Sequence, residues 1–311
     1  MRLFSSVVPR RFYSSKTAEK LTSTPKRRPT VAFAKLSSAP IADALELSVS
    51  YAKMGTLTEA LPKPSRASGS ISTAVKSIEV KYPLFNMDAL GIKPKDREWF
   101  TAVNLAVRTH MNKLDASHNY EHIRRVVSNA AYILEEEKKQ HQWARDLDHT
   151  AIWITCMTHD IGDKKYGTKG GQSCHMITVR NFLNSLGCSS DICMEASLLA
   201  PRVSFTAEML DEAHVGYVAD EWPTLRIVQD ADRLDGLGAI GVGRLFVYGG
   251  ANKARRQGSI DSGIELIEQR FKHYSRLMKT ETGRKMAEER YKWMVEDFVR
   301  RWKVEANTSN V

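Results

Sequence analysis

Along residues 120–140 the apolar positions Ile123, Val126, Val127, Ala130, Ala131 and Leu134 recur at i, i+3, i+4, i+7, i+8 and i+11, and the run closes on a polar stretch, 135–140. That spacing lays one apolar stripe along a helix of 3.6 residues per turn. Residues 147–158 are apolar nearly all round, which predicts a helix buried on every side, closed by Gly162. Another helix is expected over about 172–186, with Gly187 as its C-cap. Residues 230–247 read as one helix carrying small residues, Gly236, Gly238, Ala239, Gly241 and Gly243, for close packing. This Gly-x-x-Gly-x-Gly run is not a dinucleotide loop, because no strand pattern leads into it and an acidic cluster precedes it. Ile264, Ile267, Phe271, Tyr274 and Leu277 make a further stripe, and Tyr291, Met294, Val295, Phe298 and Trp302 the last. With no alternating strand pattern and no internal repeat, the expected fold class is all-α, a compact helical bundle over residues 94–303 with a short tail, 304–311.

The N-terminal third reads differently. Residues 1–30 are rich in Arg, Lys and Ser with Glu19 as their one acidic residue, the composition of a mitochondrial transit peptide. Arg11-Phe12-Tyr13-Ser14 resembles a matrix-processing site, which predicts location in the mitochondrial matrix. Residues 1–35 fused to a fluorescent reporter are expected to send it to mitochondria; a diffuse cytosolic signal would refute this. Residues 31–93 read as a linker or extension without an assigned role. Within them 41–54 has the spacing of a short helix and 62–70 the composition of a linker.

Charge and cysteines remove several function classes. The chain carries a formal +10, but residues 1–80 hold 13 Lys/Arg against 5 Asp/Glu, leaving 33 against 31 for the remainder. A nucleic-acid binder concentrates its basic excess on the contacting domain, so no nucleic-acid partner is expected. Cys156, Cys174, Cys188 and Cys193 form no C-x-x-C pair, which argues against structural zinc and for small buried thiols in a reducing compartment. No apolar run approaches the roughly 18 residues of a spanning helix, so no membrane role is expected.

The candidate chemistry lies in residues 117–163 and 229–235. His118 and His122 are one helical turn apart, His159-Asp160 is an adjacent pair at the end of the apolar helix, and Asp230, Asp232 and Asp235 follow downstream. Neighbours in mid-helix point about 100° apart, so His159 and Asp160 can share an ion only where the backbone turns, as Gly162 permits. Mixed imidazole and carboxylate donors from three helices suit Mn, Fe, Zn or Ni, whereas an all-oxygen site suggests Mg or Ca. His118 to His122 also spells H-x-x-E-H, the motif of inverted zinc peptidases with Glu121 as base. That reading leaves His159-Asp160 and the later carboxylates without a role.

In this order His122, His159-Asp160 and Asp232 resemble the H…HD…D signature of the HD-domain metal-dependent phosphohydrolases. SHNYEHIRRV, THDIGD, VQDADRLDGLGAIG, FVYGG and LMKTETGRKMAEERYKWM look like the bacterial and fungal subfamily that includes nucleotide pyrophosphohydrolases, and the likeness covers about 97–302. The resemblance implies His122, His159, Asp160 and Asp232 as metal ligands, with Mn²⁺ the first expectation and Fe²⁺, Zn²⁺, Ni²⁺ or Mg²⁺ the others. Asp232 is preferred because the family's ligand directly precedes a basic residue, here Arg233; Asp230 and Asp235 then support the site or cap helices. The implied substrate is a small phosphorylated molecule, a nucleotide, and the implied reaction is hydrolysis of a nucleoside triphosphate with pyrophosphate release. A nucleotidase or phosphodiesterase on the same centre, or a non-catalytic mitochondrial HD subunit, are the alternatives. Asp163 is expected to position water or relay a proton, and Arg233 to face the cleft and meet phosphate. Arg125, Lys164 and Lys165 read as solvated charges, His118 as a support or substrate contact, and His175 and His214 as surface or packing residues. Relatives often carry a histidine before a Ser-Phe-Ser-like segment; this chain has none in Pro201-Arg202-Val203-Ser204-Phe205-Thr206.

Overall fold

The computed structural model describes residues 82–163, 172–251 and 258–309. The expected presequence, the helix at 41–54, the linker at 62–70, and Lys164 and Lys165 lie outside them. The described residues are helical throughout, without a strand among them, as the all-α reading expects. In chain order the α-helices are α1 (Arg97–Met111), α2 (Tyr120–Gln140), α3 (Gln142–Arg145), α4 (His149–Thr158), α5 (Gln172–Ser185), α6 (Ser190–Leu199), α7 (Phe205–Leu210), α8 (Glu212–Glu221) and α9 (Thr224–Asp235). They continue as α10 (Gly238–Ala251), α11 (Ser262–Gln269), α12 (Tyr274–Leu277), α13 (Glu281–Trp293) and, after a π-helical turn over Met294–Val299, α14 (Arg300–Glu305). No helix among the described residues is long and apolar enough to cross a membrane.

Three helices make the centre. α2 starts on Asn119, whose side chain accepts from the Glu121 amide, and buries the stripe Ile123, Val126, Val127, Ala130 and Leu134. α4 is capped by Asp148 and buries every residue from Thr150 to Thr158. Fully burying a side chain such as Ile152, Ile154 or Met157 contributes about 1.5–3 kcal/mol each, so α4 is the axis around which α2, α6 and α9 pack. Residues upstream of α1 join this core: Ile92 is buried, Phe85 packs edge-on against Tyr120, and the Trp153 indole donates to the Leu90 carbonyl at 3.0 Å.

The one helix expected over 230–247 is two. α9 ends at Asp235 and α10 begins at Gly238, which sits at φ +70°. The turn between them is so tight that a Cβ on Gly241 would lie 2.2 Å from the Gly236 carbonyl oxygen. The small residues therefore make a corner as well as a packing face, and the corner folds α10 back beside the acidic end of α9.

The start of α13 ties two of the central helices together. Asp230 of α9 accepts from the amides of Lys279 and Thr280 and from the Thr280 hydroxyl, at 2.7–3.1 Å. Glu137 of α2 accepts from the Thr282 amide at 2.9 Å and its hydroxyl at 2.7 Å. Carboxylates at a helix N-terminus meet both the orphan amides and the positive end of the dipole. A Cβ on Gly283 would lie 2.5 Å from the Asp230 carboxylate, so glycine is required there.

Candidate metal centre

The chain turns sharply after α4: the Ile161 amide donates to Thr158 at 3.0 Å and Gly162 takes φ +81°. A side chain at Gly162 would strike Thr178 of α5, 2.6 Å away. This turn lets two adjacent side chains face one point. Asp160 Oδ2 lies 3.4 Å from His159 Nε2 and 3.5 Å from His122 Nε2. Asp232 Oδ1 lies 3.6 Å from His159 Nε2 and 3.5 Å from His122 Nε2. The two Nε2 atoms are themselves 3.4 Å apart. Four donors from α2, the α4 turn and α9 thus form two near-equilateral triangles sharing the His–His edge.

The triangle of His122, His159 and Asp232, whose donor atoms all lie within 4.8 Å of one another, fits a metal ion, and Asp160 makes the second triangle on the same edge. The centre of such a triangle is about 2.0 Å from each corner, within the roughly 2.0–2.2 Å of metal–nitrogen and metal–oxygen bonds. The ring tautomers agree. His159 Nδ1 is 2.8 Å from the Cys156 carbonyl, which can only accept, and His122 Nδ1 is 2.8 Å from the Asp235 carboxylate. Both rings therefore carry their hydrogen on Nδ1 and, when neutral, turn the Nε2 lone pair to the centre, the second-shell pattern of metal-bound histidine. The electrostatics ask for a cation at the same place. Burial disfavours a charge on His159, yet the adjacent Asp160 and then Asp232 override it and hold its pKa well above the usual histidine value. Burial also opposes ionisation of Asp232, and His159 and His122 override it, holding that carboxyl well below its usual range. A proton on His159 meets the demand of the two carboxylates, and a divalent ion meets it with both rings neutral.

Asp235 is the hub behind the ligands. Besides His122 it accepts from Arg125 at 2.6 and 3.1 Å and lies 3.0 Å from Arg244, whose Nε donates to the Ser117 carbonyl at 2.7 Å. Burial pushes its carboxyl up, but these partners outweigh it and bring it down to about 2. The ionised Asp235 thereby fixes His122.

The side chains of His122, His159 and Asp160 are 1%, 3% and 4% exposed, whereas Asp232 keeps 21%, so the ligand cluster opens on the Asp232 side. There a cleft of about 170 Å³ is lined by Ser117, His118 and an aromatic group, Phe205, Phe271 and Tyr274. His118 stands in the wall with its ring 5.8 Å from that of His122 and 5.5 Å from that of Tyr248. Ser204 and Phe205, from the segment in which the expected histidine is missing, line the cleft all the same.

Other expected residues are placed differently. Asp163 is 8% exposed behind the turn, its amide 3.3 Å from the Asp160 carbonyl, and is not among the residues lining the cleft. Arg233 reaches the cleft wall, but it is 2% exposed and its guanidinium is ion-paired with Glu208 and bonded to the Leu277 carbonyl at 2.8 Å. Glu208 thus anchors Arg233 at the wall and binds Lys279 with its other oxygen. Arg125 is likewise paired, with Asp235, rather than solvated. His214 is exposed beside Arg202, and His175 is buried. Three cysteines are buried and free as expected, but Cys174 is exposed. Sequence reading passed over Arg244, Arg270 and the aromatic group; the available signal was the aromatic spacing Arg270-Phe271 with Tyr274, read there only as a packing stripe.

No family model matches the chain. It is 29% identical over 196 residues to the uncharacterized protein YpgQ of Bacillus subtilis, covering 62% of this chain and 87% of that one. The crystal structure of selenomethionine YpgQ superposes with a TM-score of 0.50 at 24% identity, covering 68% of this chain and 98% of YpgQ. YpgQ in complex with ADP gives 0.49 at 25%, over 65% and 97%. A Lactobacillus plantarum structure gives 0.50 at 20% identity, over 67% of this chain and 96% of its own. A protein named as an HD-superfamily hydrolase, from an uncultured Thermotogales bacterium, gives 0.43 at 25%, over 72% and 100%. A His-Asp dipeptide alone is too common to place a chain, but here it turns into one cluster with a histidine 37 residues before it and an aspartate from a later helix. In a fold shared with YpgQ, the chain thus brings together the residues of the H…HD…D pattern that it resembles.

Proposed function

We propose that the domain hydrolyses nucleoside or deoxynucleoside triphosphates to the monophosphate and pyrophosphate, and that it does so in the mitochondrial matrix, to which the composition of residues 1–30 points. The observation that carries the reaction is the convergence of His122, His159 and Asp232, with Asp160 3.4 and 3.5 Å from the two histidines, beside a cleft with an aromatic wall. Such a cleft suits a substrate that combines a phosphoanhydride with a flat apolar group. YpgQ itself has been crystallised with ADP.

Mn²⁺ is the ion we assign to this mixed donor set; a divalent ion held there supplies Lewis-acid polarisation of a phosphoryl oxygen and a lower pKa for attacking water. The remaining work falls to the chain. Asp235 and the Cys156 carbonyl hold the two imidazoles in the ligating tautomer, and the turn at Gly162 aims Asp160. Water adds to the α-phosphorus, the bond to the bridging oxygen breaks, and the electron pair leaves with pyrophosphate.

The full-length protein with Mn²⁺ is expected to release pyrophosphate from nucleoside or deoxynucleoside triphosphates and to stop on addition of EDTA. Inorganic phosphate from monophosphates, or opening of cyclic nucleotides, as the main product would replace this reading with a nucleotidase or phosphodiesterase. No turnover of any of them would leave a binding subunit.

A further inference from the structure

Three arginines line the cleft, and only one lacks a carboxylate among the described residues. Arg233 is paired with Glu208, and Arg244 lies 3.0 Å from Asp235. Arg270, at the C-terminal end of α11, has its guanidinium carbon 4.6 Å from the centre of the Phe205 ring, and its Nε is buried without a hydrogen-bond partner. Phe205 in turn packs on Tyr274, with ring centres 5.3 Å apart. Stacking on an aromatic face orients a guanidinium while leaving its N–H edges available, and those edges match phosphate oxygens bidentately.

Charge decides what Arg270 is for. The two carboxylates among the ligands already balance a divalent ion, so the metal centre contributes little net positive charge to the rest of a polyphosphate. A triphosphate brings several more negative charges into the cleft; Arg244 is anchored on Asp235, which it shares with Arg125, and Arg233 on Glu208, which it shares with Lys279, whereas no carboxylate among the described residues holds Arg270.

We propose that Arg270, held flat on Phe205, binds the terminal phosphates of the substrate and so receives the departing pyrophosphate. This makes it a substrate-binding residue that selects polyphosphates over monophosphates. The inference rests on the pyrophosphate-releasing reading above and adds to it the group that recognises the leaving end.

The test compares wild type with Arg270→Ala, Arg270→Lys and Phe205→Leu, each with Mn²⁺ in excess, by the inhibition constants of pyrophosphate and of a nucleoside monophosphate. Loss of a charge-assisted, bidentate contact is expected to weaken pyrophosphate inhibition about 10- to 100-fold in Arg270→Ala, less in Arg270→Lys and Phe205→Leu. Inhibition by the monophosphate is expected to stay within about twofold, and the rise in melting temperature with Mn²⁺ to persist in every variant. Equal weakening of both inhibitors would assign Arg270 to the nucleoside instead, and no weakening of either would remove it from recognition; both overturn the proposal. Should wild type release no pyrophosphate from triphosphates, the functional reading fails. Dissociation constants of pyrophosphate measured directly by calorimetry then judge Arg270, with the same weakening expected in Arg270→Ala.

Discussion

Asp160→Ala is expected to lose metal binding and turnover together, with the fold intact. Its carboxylate is a corner of the cluster, 3.4 and 3.5 Å from the two histidine nitrogens, and no neighbouring side chain takes its place in the four-donor set. The measurement is thermal unfolding with and without Mn²⁺. An ion that binds only the folded state, present at 100 times its dissociation constant, stabilises by about 2.7 kcal/mol. For a domain of this size that raises the wild-type melting temperature by about 5–10 °C. Asp160→Ala should show almost none of this rise and only background hydrolysis, while its far-ultraviolet circular dichroism stays helical. Asp160→Asn, of nearly the same shape, separates loss of charge from loss of packing and should behave like the alanine variant. If either variant kept the Mn²⁺-induced rise and the turnover, Asp160 would not be a ligand and the centre would lie elsewhere.

The candidate donors were legible in the sequence because order along the chain survives without coordinates: a histidine inside a clear helical stripe and a His-Asp pair at the end of a helix too apolar to be exposed, while the choice of Asp232 rests on the H…HD…D resemblance. The stripe of α2 was legible for the same reason, since its spacing repeats over several turns. Residues 82–92 have no such period, so their packing onto α2 through Phe85 and onto α4 through Leu90 could not be read. The corner at Gly238 was hidden because glycines in an apolar run look alike whether they allow helices to pack or chains to turn. Only the left-handed φ at Gly238 and the approach of Gly241 to the Gly236 carbonyl distinguish the two. Charge pairing was the least legible. Glu208 meets Arg233 from 25 residues away on another helix, and Arg270 sits in a stretch read only for its apolar stripe.

Glu208→Gln is expected to destabilise the domain by about 3–5 kcal/mol, because it leaves the buried Arg233 without its counter-charge. That is a fall in melting temperature of roughly 6–20 °C. Glu208 is 0% exposed, and its two oxygens bind Arg233 of α9 and Lys279 just before α13, while its own helix, α7, begins with the Phe205 of the cleft wall. One carboxylate thus ties together the helix that carries Asp232, the segment capped by Asp230, and the aromatic wall of the cleft. Removing both charges should cost much less than removing one: in Glu208→Leu with Arg233→Met the buried pair becomes apolar contact, and Lys279, 19% exposed, can turn its ammonium to water. The double variant also decides what Arg233 does. If Arg233 is a strut, the double variant recovers most of the melting temperature, keeps its rise with Mn²⁺ and hydrolyses triphosphate within a few-fold of wild type. If it is folded, binds Mn²⁺ and is still slower by more than about 100-fold, a loss of the size expected for a group that stabilises charge in the transition state, then Arg233 reaches the phosphates during turnover despite its pairing with Glu208.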